Sequence, residues 1–314
     1  MVVGIDIGGT NTAIGLIDQK GNVLVETTLK TANYPKIEAF VVAITKSIND
    51  LHTPHKEVAI KAIGIGAPNG NFYSGTIEQA PNLPWKGIVH LRELFLEYFD
   101  APVFITNDAN AAALGEMHYG AAKGLKNFMV VTLGTGVGSG FVVNGKLMYG
   151  HDGFAGELGH FTVEQGGRPC NCGRRGCLET YASATGIVTT ALEQLSRVRL
   201  PSGLRSIPKN QLSAKFVCQA AEQGDALSLE MVDYTAEKLG FALANIVLIT
   251  SPEAIVFFGG VANAGDLLLK PTKEYMEQNL LNIFKNKVQL WQSQVPENHA
   301  ALLGAAALAW ENIE

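Results

Sequence analysis

Between Glu157 and Glu179 the chain gathers three of its four cysteines, Cys170, Cys172 and Cys177, behind one histidine, His160. Thiolates and imidazole are ligands that zinc accepts, and Cys₃His is a set found in closed structural zinc sites. Glycines at 166, 167, 173 and 176 punctuate the run, so its backbone can wrap one tetrahedral ion. The spacing departs from the paired CxxC of zinc fingers, and three loop thiols that pair or stay free are the alternative. The carboxylates at either end, Glu157 and Glu179, favour the metal, because a knuckle here would hold two acids in place. Cys218 lies apart in a helical pattern, where a cysteine acts as a small buried apolar residue.

Two glycine turns offer a second chemistry. The β-rich run Val2 to Ile7 breaks at Gly8-Gly9-Thr10-Asn11, and Phe128 to Leu133 breaks at Gly134-Thr135-Gly136. Successive N–H groups in such turns form a concavity that suits phosphate oxygens. There is no GxxxxGK[ST] run, which excludes a P-loop. A dinucleotide-binding turn leads from strand to helix, whereas both turns here lead into further β-rich segments. Two hairpins tipped with Gly-Thr therefore fit two phosphate grips facing one another across a cleft; plain tight turns are the alternative. Asp6, just ahead of the first tip, adds a carboxylate that could face Mg²⁺ on the phosphates. Gly259-Gly260, closing the Ala254 to Phe258 strand, could let an adenine or ribose lie flat against the backbone.

A third group could move a proton. Phe104 to Ala113 runs from a strand into an alanine-rich helix, and Asp108 falls where an N-cap or first-turn acid is expected. The alanines let that helix approach another element closely and bring Asp108 toward a cleft. A carboxylate there could accept the proton of an attacking hydroxyl, and in the loose transition state of phosphoryl transfer it chiefly orients the nucleophile.

The elements that must position these groups alternate between β and α. The pattern strand, glycine turn, strand, hairpin occurs twice, first over Val2 to Asp18 and then over Phe128 to Tyr149, and predicts a duplicated α/β architecture. Helical periodicity fits Ile37 to Leu51, Ile88 to Phe99, Asp108 to Tyr119, Thr185 to Leu195, Ala214 to Glu222, Ser228 to Ile249 and Gly265 to Asn279. Short strands fit Ala59 to Ile65, Val103 to Ile105 and Ala254 to Phe258, and Arg197 to Asn210 reads as a surface loop. With 314 residues, two domains are expected, divided near Gly120 into 1–119 plus 301–314 and 120–300. The alanine-rich segment Leu302 to Trp310 would pack back on the first.

Composition excludes several partners. Apolar residues make up 47% and charged residues 17%, which describes a globular protein with ample core. The net charge of −5, with no Lys/Arg block, gives no electrostatic reason to expect nucleic acid. No export signal or bilayer-spanning stretch is visible, so a cytoplasmic protein with no membrane partner is expected. In a reducing compartment, thiols at this spacing favour metal over disulfides.

Asp6-Ile7-Gly8-Gly9-Thr10-Asn11, Asn107-Asp108-Ala109-Asn110, Leu133 to Gly138, Glu157-Leu158-Gly159-His160 and the Cys170 to Glu179 block together resemble the ROK family of sugar kinases and repressors. The likeness runs in order across nearly the whole chain and is nearest to the bacterial glucokinases. It implies a two-domain actin/hexokinase-like (ribonuclease-H-like) α/β fold with ATP and sugar in the interdomain cleft. The family's catalytic base falls on Asp108 and its hydroxyl ligands on Asn107, Glu157, His160 and Glu179. Its phosphate loops fall on Gly8 to Asn11 and Gly134 to Gly136, and its adenosine contact near Gly259-Gly260. A homodimer, or a tetramer, is implied. Ala67-Pro68-Asn69-Gly70-Asn71 departs from the family's usual loop, which touches the sugar, and this puts that loop and Asn82 in question. N-acetylmannosamine, N-acetylglucosamine, mannose and fructose stand beside glucose as substrates. A repressor would need an added N-terminal DNA-binding domain, for which a first strand beginning at Val2 leaves no room.

Overall fold

A computed structural model describes residues 1–296 and 299–313. The domain ranges expected above also run through 297, 298 and 314, which lie outside the described residues.

The apolar run Val2–Ile7 forms β1, buried along its length except at half-buried Asp6. Around it β2 (Asn11–Ile17), β3 (Val23–Lys30), β4 (Ile63–Gly66) and β8 (Val103–Thr106) make a five-stranded sheet in the order β3-β2-β1-β4-β8. β1, β2 and β3 are antiparallel, and β4 and β8 run parallel to β1. β3 alternates half-buried and exposed residues, as an edge strand with one wet face must. Helix α1 (Ile37–His52) covers one face with Phe40, Val41, Ile44 and Ile48, spaced to fall on one side of a helix.

The second glycine hairpin repeats this plan. β9 (Phe128–Leu133), β10 (Val137–Val143), β11 (Lys146–Leu147), β12 (Ala254–Phe258) and β13 (Gln289–Gln292) form a five-stranded sheet in the order β11-β10-β9-β12-β13. Here too the first three strands are antiparallel and the rest parallel, so the duplication read from the turns extends to topology. Against this sheet lie α4 (Glu179–Ala182), α5 (Ala184–Arg197), α6 (Ala214–Glu222), α7 (Ala226–Thr250) and α8 (Asp266–Asn279). The long α7 begins at Asp225, whose Oδ1 accepts from Ser228 N–H at 2.9 Å, and ends at Ser251 in the left-handed region.

Two small-residue helices join the sheets. α9 (Ala300–Glu311) crosses β1 and β4 and packs on α3 (Asp108–Tyr119). A side chain at Gly64 would strike the carbonyl of Ala305, and one at Gly304 the carbonyl of Ala111, so these backbones touch directly. On its other side α3 lies against β10, where Gly140 meets Ala109 and Ala113. The alanines behind Asp108 thus permit the close approach expected of them, and they do so on two sides.

Several boundaries differ from the periodicity. Ile88 to Phe99 is not one helix: Ile88–Val89 is β7, which pairs with β6 (Thr76–Glu78), and α2 spans only Leu91–Leu96. β6 also pairs with β5 (Gly70–Asn71), forming a small three-stranded sheet. The β-branched pair after Gly87 follows the ladder offered by Ile77 and Glu78. The strand expected from Ala59 starts at Ile63, and the Arg197 to Asn210 loop contains a 3₁₀ turn, Gly203–Ser206, that buries Leu204. Cys218 lies on α6 as expected but is only partly buried.

Candidate active site

The two sheets place their glycine turns at one cleft of about 530 Å³. On one wall, Gly8 N–H donates to Asn11 O at 2.9 Å and closes the β1–β2 turn; Gly8 and Gly9 line the cleft. Thr10 and Asn11 are exposed on the same turn and do not line it. On the other wall, Gly134 N–H donates to Gly136 O at 3.0 Å, and all three residues of that turn line the cleft. Gly259 lines it as well, while Gly260 is exposed beyond. Asn82 also lines the cleft, with its backbone against Gly9.

Asn107 is the N-cap of α3, its Oδ1 accepting from Asn110 N–H at 2.7 Å. Asp108 is therefore the first helical residue and is free of the capping role; its carboxylate accepts short-range backbone N–H groups, Ala109 N–H at 2.9 Å and its own. Water reaches its carboxylate through the cleft, but protein surrounds it on most other sides, and this loss of solvation pushes its pKa up. Asp6 faces the same space. Burial, and then the nearby Asp108 carboxylate, push it up to about 6.

That shift has a measurable consequence. A carboxyl whose folded pKa exceeds its unfolded value stabilises the fold below the unfolded pKa and ceases to as pH rises through the folded one. For Asp6 the window runs from 3.8 to about 6. Asp6→Asn is expected to stabilise the nucleotide-free protein above pH 6 by on the order of 2–3 kcal/mol, and to change little below pH 4. Urea unfolding at pH 4 and pH 8 measures the difference; equal effects at both would show that the carboxylate is not under strain.

Glu157 and His160 follow β10 and β11 on a loop that returns to the cleft. Ser139 of β10, 2% exposed, brackets Glu157: its hydroxyl donates to Gly156 O and accepts Leu158 N–H at 3.3 Å. Burial raises the Glu157 carboxyl, His160 draws it back, and Asp108 and Glu179 add to the rise. The four groups thus share one electrostatic environment.

The His160, Cys170, Cys172 and Cys177 ligand atoms all lie within 4.8 Å of one another. Cys172 and Cys177 Sγ are 3.7 Å apart, and Cys170 Sγ is 3.7 Å from His160 Nδ1. Bonds of about 2.3 Å to zinc in a tetrahedron place sulfurs roughly 3.8 Å apart, so the donor set fits that ion. The cysteines are not disulfide-bonded. Gly176 is at φ +77° with its Cα against Glu164 O, a place no other residue fits. Arg168 secures the knuckle from below, reaching Thr180 O at 2.8 Å and Glu193 at 2.6 Å while lying over the Tyr181 ring.

Glu179 leaves the knuckle and meets the Gly134–Gly136 turn. One carboxylate oxygen lies 3.6 Å from Cys170 Sγ, and the other accepts Val137 N–H at 3.3 Å and presses on Gly136. Next along the chain, Ala184 N–H donates to Gly134 O at 2.8 Å and the Thr185 hydroxyl to Thr135 O at 2.9 Å. Neither these nor Ser139 carried a sequence signal beyond being small and polar beside glycine; Pro68 and Asn69, also on the cleft wall, lay in the loop left in question.

Paired sheets of this order, meeting over a cleft with a carboxylate at a helix start, define a hexokinase-like fold. The chain belongs to the ROK family, whose model matches residues 2–312. It is 41% identical over 280 residues to a glucokinase of Halalkalibacterium halodurans, covering 88% of this chain and 84% of that one. A ROK family glucokinase from Streptomyces griseus, solved with glucose and AMPPNP, superposes with a TM-score of 0.80 at 31% identity, covering 99% of each chain. The family also includes a xylose repressor from Caldicellulosiruptor bescii, 29% identical over 98% of this chain and 77% of its own length.

Proposed function

We propose that the protein is an ATP-dependent hexokinase of glucokinase type, transferring the γ-phosphoryl group to the 6-hydroxyl of glucose. The observation that carries this reading is the convergence of Asp108, both glycine turns, Asn107, Glu157, His160 and Glu179 on one cleft. Asp108 would orient the 6-hydroxyl and take its proton as the oxygen bonds to the γ-phosphorus and the bond to the bridging oxygen breaks, releasing ADP. Asn107, Glu157, His160 and Glu179 would hold the remaining hydroxyls. The turns at 8–11 and 134–136 would receive the phosphates, with Gly259 and Gly260 beside the adenosine. Mg²⁺, arriving with the nucleotide and facing Asp6, would offset phosphate charge. His160, Cys170, Cys172 and Cys177 would hold zinc as a closed, structural ion. With His160 Nδ1 toward the thiolates, Nε2 carries the proton and can donate to a sugar oxygen.

Packing of α9 on β1 and β4 supports grouping 301–314 with 1–119 as one body that moves against 120–300. Exposed Phe241, Leu248 and Ile249 on α7 support a homodimer. Thiols at ligand spacing suit a reducing cytoplasm. Among the described residues no helix is long and apolar enough to cross a membrane.

A coupled ADP-release assay across hexoses and N-acetylhexosamines tests the function. Glucose is expected to give the highest kcat/KM. An N-acetylhexosamine, mannose or fructose in first place would reassign the substrate, and no release with any sugar would remove the kinase.

A further inference from the structure

Residues 71–73, on the first half of the chain, touch residues 149–152 of the second half beside the cleft. Asn71, 4% exposed, is central to the contact. Its Oδ1 accepts from Tyr73 N–H at 3.0 Å and Ser74 N–H at 3.3 Å, closing a local turn. Its Nδ2 donates to the backbone oxygen of Asp152, on the second half of the chain, at 2.8 Å. Alongside, Phe72 stacks on Tyr149 with ring centroids 4.2 Å apart and 10° between planes. The Tyr73 hydroxyl donates to Gly150 O at 3.0 Å.

The positions of these two segments give the contact meaning. Immediately before Asn71, Pro68 and Asn69 line the cleft. Beyond Asp152 the loop runs straight to Gly156 and Glu157, where Ser139 brackets the backbone. The Glu157 loop is thus pinned at both ends, by Ser139 from its own sheet and by Asn71 from the first half of the chain.

We propose that Asn71 is a positioning residue for hexose recognition, holding the Glu157 loop in place from beside the cleft. The inference rests on the sugar-kinase reading above. Asn71 is buried while Asp152 is exposed, so the bond between them is part-buried, and its loss costs more than that of a fully exposed bond. Asn71→Asp removes that donor and adds a buried carboxylate, while one of its oxygens can still accept from Tyr73 and Ser74 N–H.

The test varies hexose and ATP separately and follows amide hydrogen exchange in the ligand-free protein. Asn71→Asp is expected to raise KM for hexose on the order of tenfold and leave KM for ATP within about twofold. Exchange over 149–157 should quicken. Asn71→Ser, whose shorter hydroxyl can accept from Tyr73 N–H but cannot reach Asp152 O, should raise the hexose KM at least about threefold; it decides the matter if Asn71→Asp does not fold. Parallel rises in both KM values, or an unchanged hexose KM in the folded variant, would overturn the proposal. Unaltered exchange over 149–157 would overturn it without any substrate, and so separately from the choice of function.

Discussion

Asp108→Asn is expected to lower kcat by at least ~10² while sugar affinity stays within about threefold. The amide keeps the shape of the carboxyl and can still hydrogen-bond a hydroxyl, so binding survives. It cannot take the proton, so the chemical step slows. The fold should tolerate the change, because Asn107 caps α3 and Asp108 bonds just its own and the next amide. The wild-type enzyme should also lose kcat as pH falls, since the base works only when ionised. Because cleft burial raises Asp108, that acidic limb should sit above the ordinary aspartate value of 3.8. Rapid-quench or steady-state turnover, with sugar affinity measured by calorimetry, separates the two effects. Near-normal turnover in the variant would take Asp108 out of the mechanism.

Removing a knuckle ligand is expected to have the second largest effect. Cys177→Ser should reduce bound metal from about one ion per chain to nearly none, and raise KM for sugar by at least about tenfold. The thiol is fully buried and 3.7 Å from Cys172 Sγ, and a serine hydroxyl is a far weaker zinc ligand than a thiolate. The consequences spread along the chain. His160 would lose its fixed ring orientation, and Glu179, 3.6 Å from Cys170, would lose its footing beside Gly136. KM for ATP should therefore rise as well, though less, because Ala184 and Thr185 hold the phosphate turn independently. Elemental analysis reads the metal without reference to activity. An active wild-type protein free of metal would sink the structural-zinc reading.

Much of the site was legible because its parts are local. A turn that grips phosphate is written in three or four consecutive residues, and the strand on each side is written in the next six. The same holds for a knuckle whose ligands lie within eighteen positions, from His160 to Cys177. The duplicated hairpins even foretold two sheets, since each repeat carries its own turn chemistry. The segment from Ile88 to Phe99 misled for the opposite reason. Its apolar spacing suits a helix, but Ile88 and Val89 find a strand partner in β6, and periodicity cannot see a partner ten residues away in another ladder.

What the residues carried by themselves was therefore chemistry by type: three thiols and an imidazole able to hold a metal, glycine turns able to receive phosphate, carboxylates able to meet hydroxyls and protons. What only the tertiary structure decided was how these pieces share one space. Asp108 is freed from capping because Asn107 takes that bond, and it reaches the cleft because α3 lies against Gly140 on one side and Gly304 on the other. Glu179 touches both the knuckle and the Gly134–Gly136 turn, and Asn71 reaches Asp152 from the first half of the chain. Contacts of this kind depend on how closely backbones approach after the sheets pack. That distance is set by glycines and alanines at positions far apart in the chain, whose types announce no partner until the fold supplies one.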